Sequence, residues 1–289
     1  MTAPSTENKD HWSSEAYQKA ADFVPKLATK VLQWLDPQPD DVILDLGCGD
    51  GVINIQVATD ILARGSGRIH GTDASASMID AARKAAGEKG LGEKCTFEVV
   101  DATALPSYPE LQTGMVFNKA FSNAAMHWIL RPEATRPAFF TGVRDALQQG
   151  GTFAFEMGGL GNVVEMRTAL LMAVARRCGP EGLKKAMEFD PWFFPDEDWI
   201  RDMMEVQVGG WKIEKIEREY RPTPAAAGGK GVEGWVRLMG ARFFEAIPDE
   251  KGREEAVAEV VQVLDQVCAK PGGGWQYGYV RLRAVVRKL

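Results

Sequence analysis

One stretch of this sequence restricts the fold more than any other: an apolar run that is followed at once by closely spaced glycines. Residues 42–47 read VILDLG, and the chain continues through Cys48 to Gly49, Asp50 and Gly51 before a helix-like segment begins. Glycine lets the backbone approach a ligand closely, because no Cβ atom stands in the way. In open α/β sheets, ligands bind at the turn that follows the carboxyl end of a strand. The stretch therefore predicts a buried strand, a ligand-binding turn and a helix whose free N–H groups face that turn.

Strand-like and helix-like segments alternate through the first half of the chain. The strand predictions are 42–47, 68–73, 95–102, 116–123 and 150–157, and the helix predictions are 14–35, 51–64, 75–90 and 133–148. A repeated β-α pattern indicates a parallel sheet with right-handed crossovers and helices on both of its faces.

The pattern changes after Met157. Two more strands are predicted at 211–220 and 277–287, a loop at 222–231, and helices at 163–178, 196–206, 232–246 and 250–268. Because the late helices lie between strands, we expect a cap inserted into one domain after the fifth strand. The overall prediction is an α/β fold: a Rossmann-like, seven-stranded, mostly parallel sheet whose last strand is antiparallel. Residues 1–35 are predicted to form a helical segment over the cofactor pocket, and residues 36–289 the main domain, with a helical substrate cap within 158–270.

Composition narrows the class of protein. The 289 residues carry a net charge of -6, so the overall basic character typical of nucleic-acid binding is absent. Four scattered cysteines and three histidines predict neither a disulfide framework nor a metal site, and they favour a reducing compartment. No apolar run approaches the ~20 residues of a membrane-spanning helix, and the polar N-terminus does not resemble a secretory signal. We therefore expect a cytoplasmic protein with no membrane or nucleic-acid partner.

The spacing of the glycines distinguishes two classes of cofactor. A dinucleotide site has the pattern G-x-G-x-x-G, which counted from Gly47 requires glycine where this chain has Val52. The spacing here is G-x-G-x-G, preceded by Asp45. This arrangement resembles motif I of the class I S-adenosylmethionine (SAM)-dependent methyltransferases. The resemblance implies that the loop surrounds the methionine and ribose portions of SAM.

Acidic residues also end the next two predicted strands. Asp73 is placed to accept the hydroxyl groups of a ribose, as in SAM or NAD enzymes, or to cap the following helix, a role that Ser75 could serve as well. In the family that motif I resembles, an acidic residue at the position of Asp101 binds the adenine amino group. A strand-terminal Asp is also common without such a role. The candidate cofactor-binding residues are Tyr17, Asp45, Gly47, Cys48, Gly49, Asp73, Ala74, Met78, Asp101, Ala102 and Asn123.

A second resemblance covers the fourth predicted strand. Residues 117–128 read FNKAFSNAAMHW, which is similar to the F-D-x-V-x-S-N-A-x-x-H/Q-W stretch of the trans-aconitate methyltransferase-like group. The paired glycines at 150–151 and the segments 188–204 and 231–240 are also similar to that group, over roughly residues 12–287. This chain departs from the group at Asn118, where Asp is usual, so Asn118 cannot act as a carboxylate base. Neither an N/D-P-P-Y/F motif nor a Pro-Cys pair follows this strand, which disfavours methylation of nucleic acids.

The substrate side is predicted from fewer signals. His127 and Trp128 follow the fourth strand, and our hypothesis is that both line the substrate pocket, with His127 also the candidate general base; local packing is the alternative. Tyr17 resembles a family position that folds over the SAM pocket, or it packs in the core. Aromatic residues could form an apolar lid or ordinary core, and arginines on one helix could favour an acidic substrate or face solvent. The aromatic residues are Trp192, Phe193, Phe194, Trp199, Trp211 and Trp235, and the arginines are Arg167, Arg176 and Arg177.

Together these features predict a SAM-dependent methyltransferase that acts on a small molecule, with a carboxyl or hydroxyl oxygen as the acceptor that the resemblance favours. Three alternatives stay open: a SAM-binding protein without methyl transfer, a methyltransferase that acts on protein or nucleic acid, and a nicotinamide oxidoreductase. The sequence gives no indication of the oligomeric state.

Overall fold

The structure is a computed structural model that describes residues 29–111, 117–225 and 231–289. Helix α1 (Thr29–Leu35) is the described part of the predicted N-terminal helical segment. The remainder of that segment, including Tyr17, lies outside the described residues.

A single sheet organises the described residues, and its seven strands follow the order β3-β2-β1-β4-β5-β7-β6. Strands β1 to β5 are parallel, and β7 runs antiparallel to both of its neighbours, β5 and β6. The predicted seven-stranded, mostly parallel sheet with an antiparallel last strand is thereby confirmed. The strands are β1 (Val42–Leu46), β2 (Arg68–Asp73), β3 (Cys95–Val99), β4 (Phe117–Asn123), β5 (Leu147–Gly158), β6 (Trp211–Pro224) and β7 (Gln276–Lys288).

Helices connect these strands on both faces of the sheet. After α1 they are α2 (Val52–Asp60), α3 (Ala76–Glu88), α4 (Met126–Ile129), α5 (Arg136–Ala146), α6 (Val164–Ala175), α7 (Gly182–Glu188), α8 (Glu197–Arg201), α9 (Val232–Met239), α10 (Ala241–Phe244) and α11 (Glu250–Val267). From β1 the chain builds outward to β3 and then returns to β4 on the other side of β1. The strand order therefore reverses between β1 and β4, and ligands bind at such a switch point.

Two hydrophobic clusters cover the two faces of the sheet. On one face, Val31 of α1 and Ile79 of α3 pack over Ile43, Phe121 and Val285 of the strands. On the other, Phe139 and Phe140 of α5 pack with Phe153 and Phe155 of β5. Both faces are therefore buried along the central strands, as the near-continuous apolar character of the strand segments requires.

The helices between 158 and 270 do not all belong to one unit. Helices α6, α7, α9, α10 and α11 contribute to a third hydrophobic cluster, together with Trp192 and Tyr277. Helix α8 and the π-helical turn Asp202–Val208 instead place Ile200, Met203 and Met204 in the core beneath α5. We use "cap" below for the third cluster alone.

Some predicted boundaries were wrong. Strand β5 begins at Leu147, inside the predicted helix 133–148, because Leu147 pairs with Phe117 of β4. Strand β6 continues to Pro224, into the predicted loop 222–231, because its residues stay paired with β7 as far as Gln276. Pairing with a neighbouring strand overrode local propensity at both places.

Candidate active site

Polar side chains lie at the carboxyl ends of the central strands, on the face that α1 covers. Side chains alternate between the two faces along a strand, so the residues two positions beyond the buried Ile43, Phe121 and Ala154 share their face. Those positions hold Asp45 in β1, Asn123 in β4 and Glu156 in β5. The face therefore changes from apolar to polar at the edge where the strand order reverses, which is the expected position of a ligand site.

The glycine loop is fixed to β2 by backbone hydrogen bonds. The N–H groups of Gly47 and Cys48 donate to the carbonyl oxygen of Thr72 at 2.7 and 2.9 Å. Gly49 has a φ of +56°, and a Cβ atom there would meet no protein atom within 4 Å among the described residues. Gly49 thus presents its backbone to open space, whereas a side chain would occupy the volume that a ligand needs.

Asp45 of β1 is one of the acidic residues at this edge. Its side chain is buried, and its Oδ1 atom has no hydrogen-bond partner among the described residues. Burial, reinforced by the negative charge of Asp73, raises the pKa of Asp45 to about 8, and the amide of Asn54 offsets this in part. A buried carboxylate oxygen without a partner favours a cationic ligand, because the ligand's charge would stabilise the ionised form.

Asp73 fastens the glycine loop to the end of β2. Its Oδ2 accepts a hydrogen bond from the Gly49 N–H, and its Oδ1 accepts one from the Ser75 N–H, both at 2.9 Å. The N-cap of α3 is Ser75, whose hydroxyl accepts from the Met78 N–H at 3.2 Å. The alternative that Asp73 caps this helix is therefore wrong. Met78 is buried, while Ala74 is exposed at the turn.

Asp101 is exposed beyond the end of β3 and caps a short 3₁₀ helix, Ala102–Ser107. Its Oδ1 accepts hydrogen bonds from the N–H and the hydroxyl of Thr103, at 2.9 and 2.7 Å. The N–H of Asp101 donates to the Tyr108 hydroxyl at 3.3 Å, a contact that the sequence did not suggest. Ala102 is buried behind this cap.

Asn118 lies at the opposite end of β4 from the polar edge. Its Oδ1 accepts from the Val42 N–H at 2.8 Å, and its Nδ2 donates to Asp41. These bonds join the start of β1 to β4, so the Asn at this position has a structural role. Asn118, which replaces the usual Asp of the trans-aconitate methyltransferase-like group, therefore lies away from the candidate site.

His127 is buried at the start of α4, just after β4. Its Nδ1 accepts a hydrogen bond from the Gly158 N–H at 3.3 Å, so in this arrangement the proton of the neutral ring resides on Nε2. Burial, and then the positive charge of Arg281, lower the pKa of His127 well below its ordinary value. At neutral pH the ring is therefore uncharged, with one nitrogen engaged by the backbone and the other a donor.

The predicted aromatic lid divides into two groups. One group continues from the His127 ring: Phe194 and Trp128 each have ring centroids 5.7 Å from it, Trp192 packs 5.7 Å from both Phe194 and Trp128, and Trp235 lies 6.0 Å from Trp192. We call His127, Trp128, Trp192, Phe194 and Trp235 the aromatic wall.

The second group belongs to the sheet core instead. Phe193 packs on Trp199 with centroids 4.8 Å apart, and Trp211 packs on Phe153 at 6.5 Å. Hydrophobicity alone could not separate the two groups, because both sets of rings are surrounded by apolar neighbours.

The arginines suggested from the sequence are paired with carboxylates. Arg167 Nε donates to Asp190 Oδ2 at 2.6 Å, and Arg176 and Arg177 both bind Glu259. Sequence reasoning missed three others that surround Glu156: Arg281 Nε at 2.9 Å, Arg221 Nη2 at 3.1 Å, and Arg283. The available signal was the spacing of Arg281 and Arg283 two apart in the final strand, which places both on one face.

The charge of Glu156 is maintained by these guanidinium groups. The carboxylate is only 2% exposed, and burial by itself raises its pKa. The charges of Arg281, Arg221 and Arg283 and a hydrogen bond from Arg283 outweigh burial, so the net pKa of Glu156 is lowered. In the described part of the chain, no three His, Cys, Asp or Glu side chains come together as a metal site. Nor does any described helix have the length and apolarity needed to cross a membrane.

Comparison with known proteins assigns this chain to a class of enzymes. Residues 37–177 match a family model described as a methyltransferase domain. Over 288 residues, covering 97% of this chain and 99% of its relative, the sequence is 35% identical to a Schizosaccharomyces pombe protein. The chain belongs to the class I SAM-dependent methyltransferases, and its cofactor is SAM. The S. pombe relative is described as the uncharacterized methyltransferase C70.08c.

More distant relatives agree with this class. Aklanonic acid methyltransferase DauC of Streptomyces sp. is 26% identical over 200 residues, which is 66% of this chain and 86% of that one. Trans-aconitate 2-methyltransferase of Pseudomonas paraeruginosa is 34% identical over 79 residues, 27% of each chain. The resemblance to the trans-aconitate group is therefore supported only in part. The structure of YcgJ from Bacillus subtilis shares the fold, with a TM-score of 0.55 at 15% identity, covering 90% of this chain and 97% of that one.

Proposed function

We propose that this chain transfers the methyl group of SAM to a small molecule, with a carboxyl or hydroxyl oxygen as the acceptor. The observation that carries the proposal is the aromatic wall, which begins directly after β4 at the switch point and continues into the cap. A mostly apolar, aromatic lining with a few polar groups suits a small ligand better than an extended polymer. The names of DauC and the Pseudomonas relative, which both refer to acids, support an acidic small molecule.

The residues at the polar edge fit SAM. In the proposed arrangement the backbone at Gly47, Cys48 and Gly49 approaches the cofactor, Asp45 balances its positive charge, and Asp73 accepts hydrogen bonds from its ribose. Asp101 and Ala102 contact the adenine, and the other proposed contacts are Tyr17, Ala74, Met78 and Asn123. When bound, SAM supplies an electrophilic methyl group, so the protein's contribution is positioning and electrostatics.

We propose His127 as a hydrogen-bond donor to the substrate rather than a general base. Its Nδ1 lone pair is engaged by the Gly158 N–H, and its lowered pKa keeps the ring neutral. A carboxylate acceptor needs no base, because it is already ionised at neutral pH. A hydroxyl acceptor would release its proton to water as the methyl group is transferred. Nε2–H can then orient an acceptor oxygen, and Trp128 can pack on the body of the substrate.

We also propose that the chain works in the cytoplasm. The four cysteines, Cys48, Cys95, Cys178 and Cys268, are free thiols, which fits the reducing environment of the cytoplasm.

Calorimetry followed by a transfer assay tests the function. We expect SAM and its demethylated product to bind with micromolar affinity, NAD not to bind, and radiolabelled methyl to be transferred to members of a panel of organic acids and hydroxyl compounds. Asp45→Asn is the matched variant expected to weaken binding. SAM binding without transfer to any acceptor, small molecule, protein or RNA, would favour a SAM-binding protein without methyl transfer. Absence of SAM binding would overturn the proposal.

A further inference from the structure

We propose that Arg281, assisted by Arg221, binds a carboxylate of the substrate and that this carboxylate is an anchor, separate from the group that accepts the methyl. The inference rests on the proposed function and concerns the substrate side of the same site. It differs from the sequence hypothesis, which looked for such an arginine on α6.

Arg281 lies beside the proposed substrate pocket. In the pairing of β5 with β7, its Cα atom is opposite Gly158, the residue whose N–H binds His127 Nδ1. The charge of Arg281 is close enough to lower the pKa of His127. Arg221 of β6 is opposite Tyr279, two positions from Arg281 on the same face of β7. Both arginines are therefore next to the inner end of the aromatic wall.

The guanidinium groups of Arg221 and Arg281 both have N–H donors without an acceptor among the described residues. The side chain of Arg281 is 4% exposed. Among the described residues it makes one hydrogen bond, which its Nε donates to Glu156 Oε1 at 2.9 Å. Its two Nη groups have no acceptor in that part of the chain. The Nε of Arg221 is buried and likewise without a partner there. A buried donor left unpaired, such as the Nε of Arg221, is costly, and a planar carboxylate is the ligand that satisfies a guanidinium with two hydrogen bonds.

The charges of this network do not cancel. In the described part of the chain, ion pairs connect four cations to three carboxylates, which leaves one positive charge in excess. The cations are Lys30, Arg221, Arg281 and Arg283, and the carboxylates are Glu156, Glu217 and Glu219. Glu217 and Glu219 together balance Lys30 and Arg283, so the excess lies with Arg221 and Arg281, which share Glu156. One monoanionic group would balance it.

A carboxylate held in this way is a poor nucleophile. Its oxygen lone pairs are engaged by charged donors, so attack on a methyl group would require those bonds to break. The methyl acceptor is therefore a second group on the same molecule. The aromatic wall, with Trp128 and Phe194 next to His127, suits an apolar or aromatic body between the two groups. The inferred substrate class is an organic acid that carries a second carboxyl or hydroxyl group on such a body.

The test uses the full-length protein loaded with demethylated SAM. The probes are hydroxybenzoates and unsaturated dicarboxylates, each compared with the analogue whose anchoring carboxyl is a carboxamide, and binding is followed by tryptophan fluorescence. We expect wild-type protein to bind the acids at least about tenfold more tightly than the amides. Arg281→Gln should remove this preference and, in the transfer assay, raise KM more than it lowers kcat, while Arg281→Lys restores part of the preference. Arg176→Gln, which alters an exposed arginine already paired with Glu259, is the matched control and should change neither value.

Three results would overturn the inference. The first is equal binding of acids and amides by wild-type protein. The second is an equal loss of SAM affinity and acid affinity in Arg281→Gln, since the arginine would then serve the carboxylate of the cofactor. The third is transfer to the carboxyl group of acids that have no second acceptor. If Arg281→Gln does not fold, Arg221→Gln gives the same comparison. Failure of wild-type protein to bind SAM would instead contradict the proposed function.

Discussion

A Cβ atom on Gly47 would lie 2.2 Å from the Cβ atom of Ala125, so the glycine loop and the turn after β4 are packed together without room for a side chain. Ala125 is the N-cap of α4, the short helix that carries His127 and Trp128. The glycine loop and the first residues of the aromatic wall are therefore parts of one packed unit. Any displacement of the loop would move the proposed substrate wall as well.

This packing predicts different effects for alanine substitutions at Gly47 and Gly49: mainly a loss of stability at Gly47, and mainly a loss of SAM affinity at Gly49. Gly47→Ala should lower the free energy of unfolding by about 2–4 kcal/mol, because the new methyl group collides with Ala125 and φ is +78°. Gly49→Ala meets no protein atom and should cost only about 1 kcal/mol for its positive φ, yet weaken SAM binding at least tenfold. Urea unfolding and calorimetry measure the two effects. Loss of SAM affinity in neither variant would contradict the assignment of this loop.

Asp45 predicts a pH dependence of cofactor binding. Because its pKa is about 8 in the folded protein and about 4 in an unfolded chain, the folded state without cofactor retains a proton. SAM carries a net positive charge and favours ionised Asp45, so binding at pH 7 should release up to one proton. The affinity should rise between pH 6 and 8, by at most about tenfold per pH unit. Calorimetry in buffers of different ionisation enthalpy measures the released proton.

Asp45 also predicts how the stability of the folded protein depends on pH. A raised pKa stabilises the folded protein without cofactor fully below about pH 4, and this contribution is lost as the pH rises through 8. Asp45→Asn cannot ionise, so its stability should not show that decrease and its SAM binding should release no proton. A variant that still released the proton would show that another group is responsible.

His127 should leave no titration step in catalysis between pH 6 and 8, because its pKa is already well below 6.5. His127→Phe keeps an aromatic ring but removes the Nε2 donor and the acceptor for the Gly158 N–H. We expect SAM affinity to remain within about twofold and substrate KM to rise roughly tenfold, the value of one hydrogen bond of about 1.4 kcal/mol. An ascending step near pH 6.5 in wild-type kcat/KM that disappears in His127→Phe would instead indicate a general base.

Glu156 should be essential for stability because it is the shared partner of three arginines. Glu156→Gln leaves Arg281 and Arg221 without a counter-charge and should lower the free energy of unfolding by about 3–5 kcal/mol. Glu254→Gln removes one partner of Arg237 on the exposed surface and is the matched control, with no change expected in the urea midpoint. Similar midpoints for the two variants would contradict the role assigned to Glu156.

Much of the fold was readable in the sequence because burial on both sides of a parallel sheet leaves apolar runs of strand length. The glycine loop was readable for a related reason: Gly47 and Gly49 need either close packing or open space, and only glycine provides both at positive φ. The role of Ser75 as N-cap was also among the stated alternatives. These features are local, so a short stretch of residues contains the whole physical requirement.

The tertiary structure decided what depends on partners far apart in the chain. Local pattern could not assign Ile200 and Met203 to the sheet core rather than the cap, nor separate Phe193 from Phe194, since adjacent aromatic rings can face different clusters. The arginines around Glu156 come from β6 and β7, and only the strand order brings them to β5. The sequence by itself thus determined the class of sheet and the position of the glycine loop. The excess charge beside His127 emerged only with the register of three strands, because electrostatic energy depends on distances that local sequence does not contain.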